Sequence, residues 1–209
     1  MKKIKLIITS LVVGSMITLL FSCEESFEKK VDNLVTSTIK TTLYYPDSYD
    51  PITTEIDSAF TPLGDPKLIN KMLEVHGLIE KLNVHIEEMN DAKSEVALWI
   101  DSYSPYAVTQ YQEAVNRFNI AHKKGQKIAE EIMKIGEEVT EMEQKGSEFI
   151  GYLIDHRYRA QNNADNVLID NVFLIINKDA TEVLAAYTSE DFEKISEVGE
   201  YLKEYENEL

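Results

Sequence analysis

The chain has 209 residues, with 21 Lys and Arg against 37 Asp and Glu and a formal charge of −16. This balance argues against nucleic acid as a partner, because phosphate recognition rests on clustered cations. A single cysteine, Cys23, excludes any disulfide within one chain and any two-cysteine metal motif.

The amino terminus carries Lys2, Lys3 and Lys5, then an apolar stretch from Ile7 to Phe21 and a small residue at Ser22. That is the layout of a removable secretory signal. Thr9, Ser10, Gly14, Ser15 and Thr18 interrupt the stretch, and a permanent span usually needs about 20 predominantly apolar residues. Residues 1–22 are therefore expected to be cut away. What remains is 187 residues with a net charge of −19, because the signal holds three lysines and no acid. That length suffices for one domain with a real core.

Leu20-Phe21-Ser22-Cys23 resembles the lipobox of bacterial lipoproteins, with Leu three before the cysteine and a small residue next to it. Phe21 departs from the small or β-branched residue commoner at its position. The resemblance implies lipid on the Cys23 thiol, cleavage before it and acylation of the new amino terminus. Two or more acyl chains give stable anchoring where one is marginal. Cys23 is thus the expected membrane attachment, and residues 23–27 read as an acidic tether.

From residue 28 to 209 the pattern describes one α+β domain. Val31, Leu34, Val35, Ile39 and Leu43 predict an amphipathic helix over 28–45, ended by Pro46 and Pro51. Ile52, Thr54, Ile56, Ser58 and Phe60 alternate as a strand. Asp65-Pro66 and Ser104-Pro105 each combine an N-cap with a first-turn proline. Behind them run two long apolar periodicities, Leu68 to Ile100 and Val108 to Met142, which predict an antiparallel hairpin inserted at about 66–146. At 1.5 Å per residue each arm reaches roughly 55 Å, so part of it should project.

From Phe149 the period becomes two. Ile150, Tyr152, Ile154, His156, Tyr158 and Ala160 are expected on one face, and Gly151, Leu153, Asp155, Arg157 and Arg159 on the other. Turns at Asn162–Asp165 and Asn177–Asp179 then deliver two more strands, and Thr188 or Ser189 caps a last helix. The expected fold is a small antiparallel four-stranded sheet with helices on one face and a long antiparallel helical hairpin inserted after the first strand.

The blocks Pro46–Ile52 and Gly151–Asn162 together resemble those of uncharacterised Bacteroidetes lipoproteins. That resemblance covers about a quarter of the mature chain and implies no activity. It implies a cell-envelope address, and the acidic Glu24-Glu25-Ser26 after the cysteine resembles the export signal that takes such lipoproteins to the outer face of the outer membrane. An orientation toward the periplasm stays open.

No catalytic or cofactor motif emerges: the chain has no Gly-x-Ser-x-Gly elbow, phosphate loop or dinucleotide fingerprint. No two of His76, His85, His122 and His156 stand three or four apart as a helical zinc site requires. No metal or cofactor is therefore expected. The candidates for contact are His156, Arg157, Tyr158 and Arg159, where cations cluster against the sign of the chain, and Trp99 and Tyr106 near the hairpin tip. The expected function is a membrane-anchored, non-enzymatic interaction module for a protein or glycan. The alternative is an enzyme or small-ligand binder with its site between sheet and helices around His156 and Tyr158.

Overall fold

The computed structural model describes residues 25–208; the signal segment 1–22, Cys23 and Glu24 lie outside the described residues. Helix α1 spans Phe27–Thr42, with the Ser26 hydroxyl accepting from the Lys29 amide. It begins one residue before the predicted domain start and leads through a 3-10 turn, Pro46–Ser48, into strand β1, Asp50–Phe60. The hairpin follows as α2, Pro66–Trp99, and α3, Pro105–Glu143. Strands β2 (Phe149–Gln161), β3 (Val167–Asn177) and β4 (Val183–Thr188) complete the sheet, and α4 spans Ser189–Glu208.

The strands pair in sequence order, β1-β2-β3-β4, antiparallel throughout. Class, strand number and hairpin position are those the periodicities predict. The helices divide between both faces of the sheet, which corrects the expectation of one face. Val31, Val35 and Ile39 of α1 pack on Ile154, Tyr158, Leu174 and Ile176. On the opposite face Ile69 and Leu73 of α2, with Phe192 and Ile195 of α4, cover Leu153, Phe173, Ile175 and Tyr187. The reason lies in β2 and β3, whose centres are apolar on successive residues and so need cover on both sides.

A second correction falls at Ile150. The β1–β2 register shifts between Ala59 and Phe60, leaving Ile150 as the extra residue of a bulge, so it packs with Leu153 on the hairpin side instead of with Tyr152. Gly151 makes the bulge possible, at φ +155° and against the Ile176 carbonyl.

Caps and turns follow local chemistry. Asp65 accepts from the Lys67 amide at 2.9 Å, and Ser104 from the Ala107 amide at 3.1 Å. Thr188 and Asp191 exchange backbone and side-chain bonds as a capping box at the start of α4. Gly146, at φ +80°, lies in the turn that follows α3.

The hairpin changes character along its length. At its base Leu68, Val75 and Leu78 meet Ile132, Ile135 and Val139, with Val198 of α4 wedged among them. Farther out the buried residues are small: Ala92, Ala107, Ala114, Ala121 and Gly125. A Cβ on Gly125 would sit 3.5 Å from Leu82, so the helices approach closely there. At 34 and 39 residues the arms are about 50 and 60 Å long.

Candidate functional site

The sheet brings the two blocks picked out in the sequence into contact. Asp50 pairs with Arg159 across β1–β2, and the Ser48 hydroxyl accepts from the Gln161 amide at 2.9 Å. Between them lies His156, the one buried charged or polar side chain among the described residues, at 1 % exposure. Its Nε2 is 2.9 Å from the Tyr49 hydroxyl and its Nδ1 is 2.9 Å from the Thr54 hydroxyl. The imidazole stacks on Tyr158 at 5.8 Å between ring centres, and Tyr49 leans on both rings.

Burial holds the His156 imidazole below its ordinary value, and the opposing pull of Asp32 and Asp155 does not reverse this. The Tyr158 hydroxyl donates to Asp170 at 3.2 Å; burial, reinforced by the Asp170 charge, pushes it up to about 12. Burial also raises Tyr49, against a hydrogen bond from Thr36. A neutral imidazole with a hydroxyl on each nitrogen has no free lone pair or proton to offer a substrate. A cleft of about 370 Å³ lies beside Tyr158, lined also by Leu43, Tyr44, Ala160, Leu168 and Asp170, but His156 does not line it. The site is a satisfied polar centre under α1.

Arg157 and Arg159 project from the opposite face, as the strand alternation requires. Arg159 is bonded to Asp50 at 2.8 Å. Arg157 lines a polar depression of about 400 Å³ with Thr53, Glu55, Asp155 and Asn171, whose Oδ1 is buried without a hydrogen-bond partner. The four residues read together in the sequence therefore divide between two surfaces.

Under the hairpin base is an apolar cleft of about 460 Å³, formed by Phe60, Leu63, Ile69, Leu153, Ile175 and Phe192. Among the described residues its side-chain polar groups are the hydroxyls of Ser58, Thr61 and Ser147, with no carboxylate, imidazole, amine or thiol. It is assembled from five elements and had no sequence signal beyond the apolar residues themselves.

The hairpin tip differs in being exposed. Tyr103 is 93 %, Leu98 68 % and Tyr106 66 % exposed. Trp99 is half-buried and meets Tyr106 edge to face at 5.8 Å, which closes the turn and holds the Tyr106 ring outward. Leu98 was not singled out in the sequence because it lies off the apolar periodicity that runs from Leu68 to Ile100.

His85 and Glu88 are hydrogen-bonded at 2.8 Å. Among the described residues, no three potential metal ligands converge. No described helix is long and apolar enough to cross a membrane. Comparison with protein-family models, curated proteins and solved structures finds no match.

Proposed function

We propose that the chain is an exported lipoprotein, tethered to the cell envelope through Cys23, that acts as a non-enzymatic interaction module contacting a protein or glycan through its hairpin tip. The observation that carries this reading is the exposure of Leu98, Tyr103 and Tyr106 together at the end of arms about 50 to 60 Å long. Clustered exposed apolar surface is uncommon on a monomer and marks contact sites. Aromatic side chains gain large contact area at small entropic cost, which suits both protein and sugar partners. An enzymatic reading is less well supported, because the imidazole is sealed by two hydroxyls and the apolar cleft under the hairpin base has no titratable group among its described lining residues.

A photoreactive benzoylphenylalanine in place of Tyr103, in the full chain in cells, should give one discrete cross-linked adduct. The same residue at Gly136, on the open surface of the hairpin base, should give none. Absence of an adduct at Tyr103, or equal adducts at both positions, would sink the tip reading.

The anchor has its own test. Cys23→Ala should abolish metabolic labelling of the chain by fatty acid and release it from membranes. Labelling that persists would remove Cys23 as the attachment.

A further inference from the structure

Along α2, Ile79, Asn83, Ile86, Asn90, Lys93 and Ala97 recur at alternating spacings of four and three. Along α3, Gln112, Val115, Asn119, His122, Gln126 and Ala129 do the same. Each spacing places its set in one stripe along the helix. Asn90, Lys93 and Val115 of these stripes line a groove of about 360 Å³ together with Met89, Val96 and Phe118.

Neither stripe contains a carboxylate, although the mature chain carries a charge of −19. Lys93 is the one formal charge in either stripe, and the paired charges of this part of the hairpin gather on its other side. There Arg117 pairs with Glu95 and is held by Asp91, while Lys124 acts on Glu88. The seam inside the hairpin at this level is built from alanines and Gly125. The large side chains Met89, Val96, Val115 and Phe118 consequently stay half-buried at the groove.

We propose that this face binds the same face of a second copy, forming a four-helix bundle from two hairpins. The charge pattern selects this occupant. In a twofold interface each patch meets itself, so an acidic patch would repel its twin, whereas amides can hydrogen-bond across the axis and apolar groups can interdigitate. Acidic surface opposes self-association in so acidic a chain, and neither stripe carries any, Lys93 being their one formal charge. Stripes of 18 to 19 residues on two helices span about 27 Å by 20 Å, roughly 1,100 Å² in total for the pair, which clears the roughly 1,000 Å² expected of a specific interface. The proposal does not depend on the tip, which lies beyond both stripes.

The test is cross-linking in cells of the full chain with Cys23 in place, the chain without an introduced thiol setting the background. With a short bismaleimide, Asn90→Cys should give a species of doubled mass, and Asp91→Cys, one residue on and on the charged side, should not. Adding Val115→Glu should lower the doubled species at least about tenfold, since a charge forced into the interface costs more than the 1.4 kcal/mol of one decade. Circular dichroism of the purified variant should show its helix content unchanged. The idea is overturned by equal yields at the two positions, by no doubled species, or by an adduct to a different protein.

Discussion

Gly151→Ala is expected to lower the stability of the domain by about 4 kcal/mol or more, enough to unfold a typical domain partially at 25 °C. A Cβ built at this position falls 1.9 Å from the Ile176 carbonyl oxygen and 3.1 Å from the Asn177 carbonyl carbon. Those atoms belong to the ladder in which Gly151 opposes Asn177, and β3 is pinned on its other side by β4. The neighbouring strand cannot retreat without loss of ladder bonds on both flanks. The φ of +155° adds backbone strain that any side chain would bear. Gly77→Ala and Gly136→Ala supply the contrast: both lie inside helices with nothing within 4 Å of the new methyl, so each should gain about 0.5 to 1 kcal/mol. Urea unfolding of the three variants reads the difference directly. A native-like midpoint for Gly151→Ala would show that the bulge is wrongly placed.

Gly151 also marks where reading the sequence stops working. Element types and order were legible because each rests on local repetition: period two in β1 and β2, periods of three and four in the helices, Asp65-Pro66 and Ser104-Pro105 at the helix starts. The bulge was not legible. Strict alternation placed Ile150 beside Tyr152, and only the β1 partner, some ninety residues earlier, shows that one residue is extra. The division of helices between two faces escaped for a related reason. Successive apolar residues in Leu174-Ile175-Ile176 show that both faces need cover, but not which helix covers each.

The candidate site was legible in half of its residues. His156 and Tyr158 on one face, with the arginines on the other, follow from the pleat. The partners that decide the chemistry, Tyr49 and Thr54, stand more than 100 positions away, and nothing in their local sequence points to an imidazole. Without them the cluster reads as a ligand surface. With them it reads as the polar fastening beneath α1. The contrast between two hairpin faces was likewise available in the spacing, yet it became informative only once Asn90 and Val115 were seen to border one groove.

The fastening at His156 should make the domain sensitive to mild acid. Burial is the larger influence and holds the imidazole below its ordinary value of 6.5, while Asp32 and Asp155 oppose it. The folded state therefore keeps His156 neutral at a pH where the unfolded chain is already protonated. Unfolding takes up a proton in that window, so the stability His156 provides is complete above about pH 6.5 and is lost as the pH falls through the lower folded value. Both hydroxyls can turn to accept from an imidazolium, so the cost of protonation is the desolvation of a buried charge and not the loss of hydrogen bonds. His156→Phe should cost about 2 to 4 kcal/mol at pH 7.5, because it strands the Tyr49 and Thr54 hydroxyls. Its disadvantage relative to the native chain should then shrink between pH 7 and 5, as the native chain gives up a term the variant never had. Carboxylates common to both cancel in that comparison. Asp32→Asn, which removes a favourable charge from α1, should extend the native sensitivity to lower pH. Urea midpoints of the three chains across this range provide the measurement, and a difference between native and His156→Phe that stays constant with pH would remove the histidine as the acid-sensitive element.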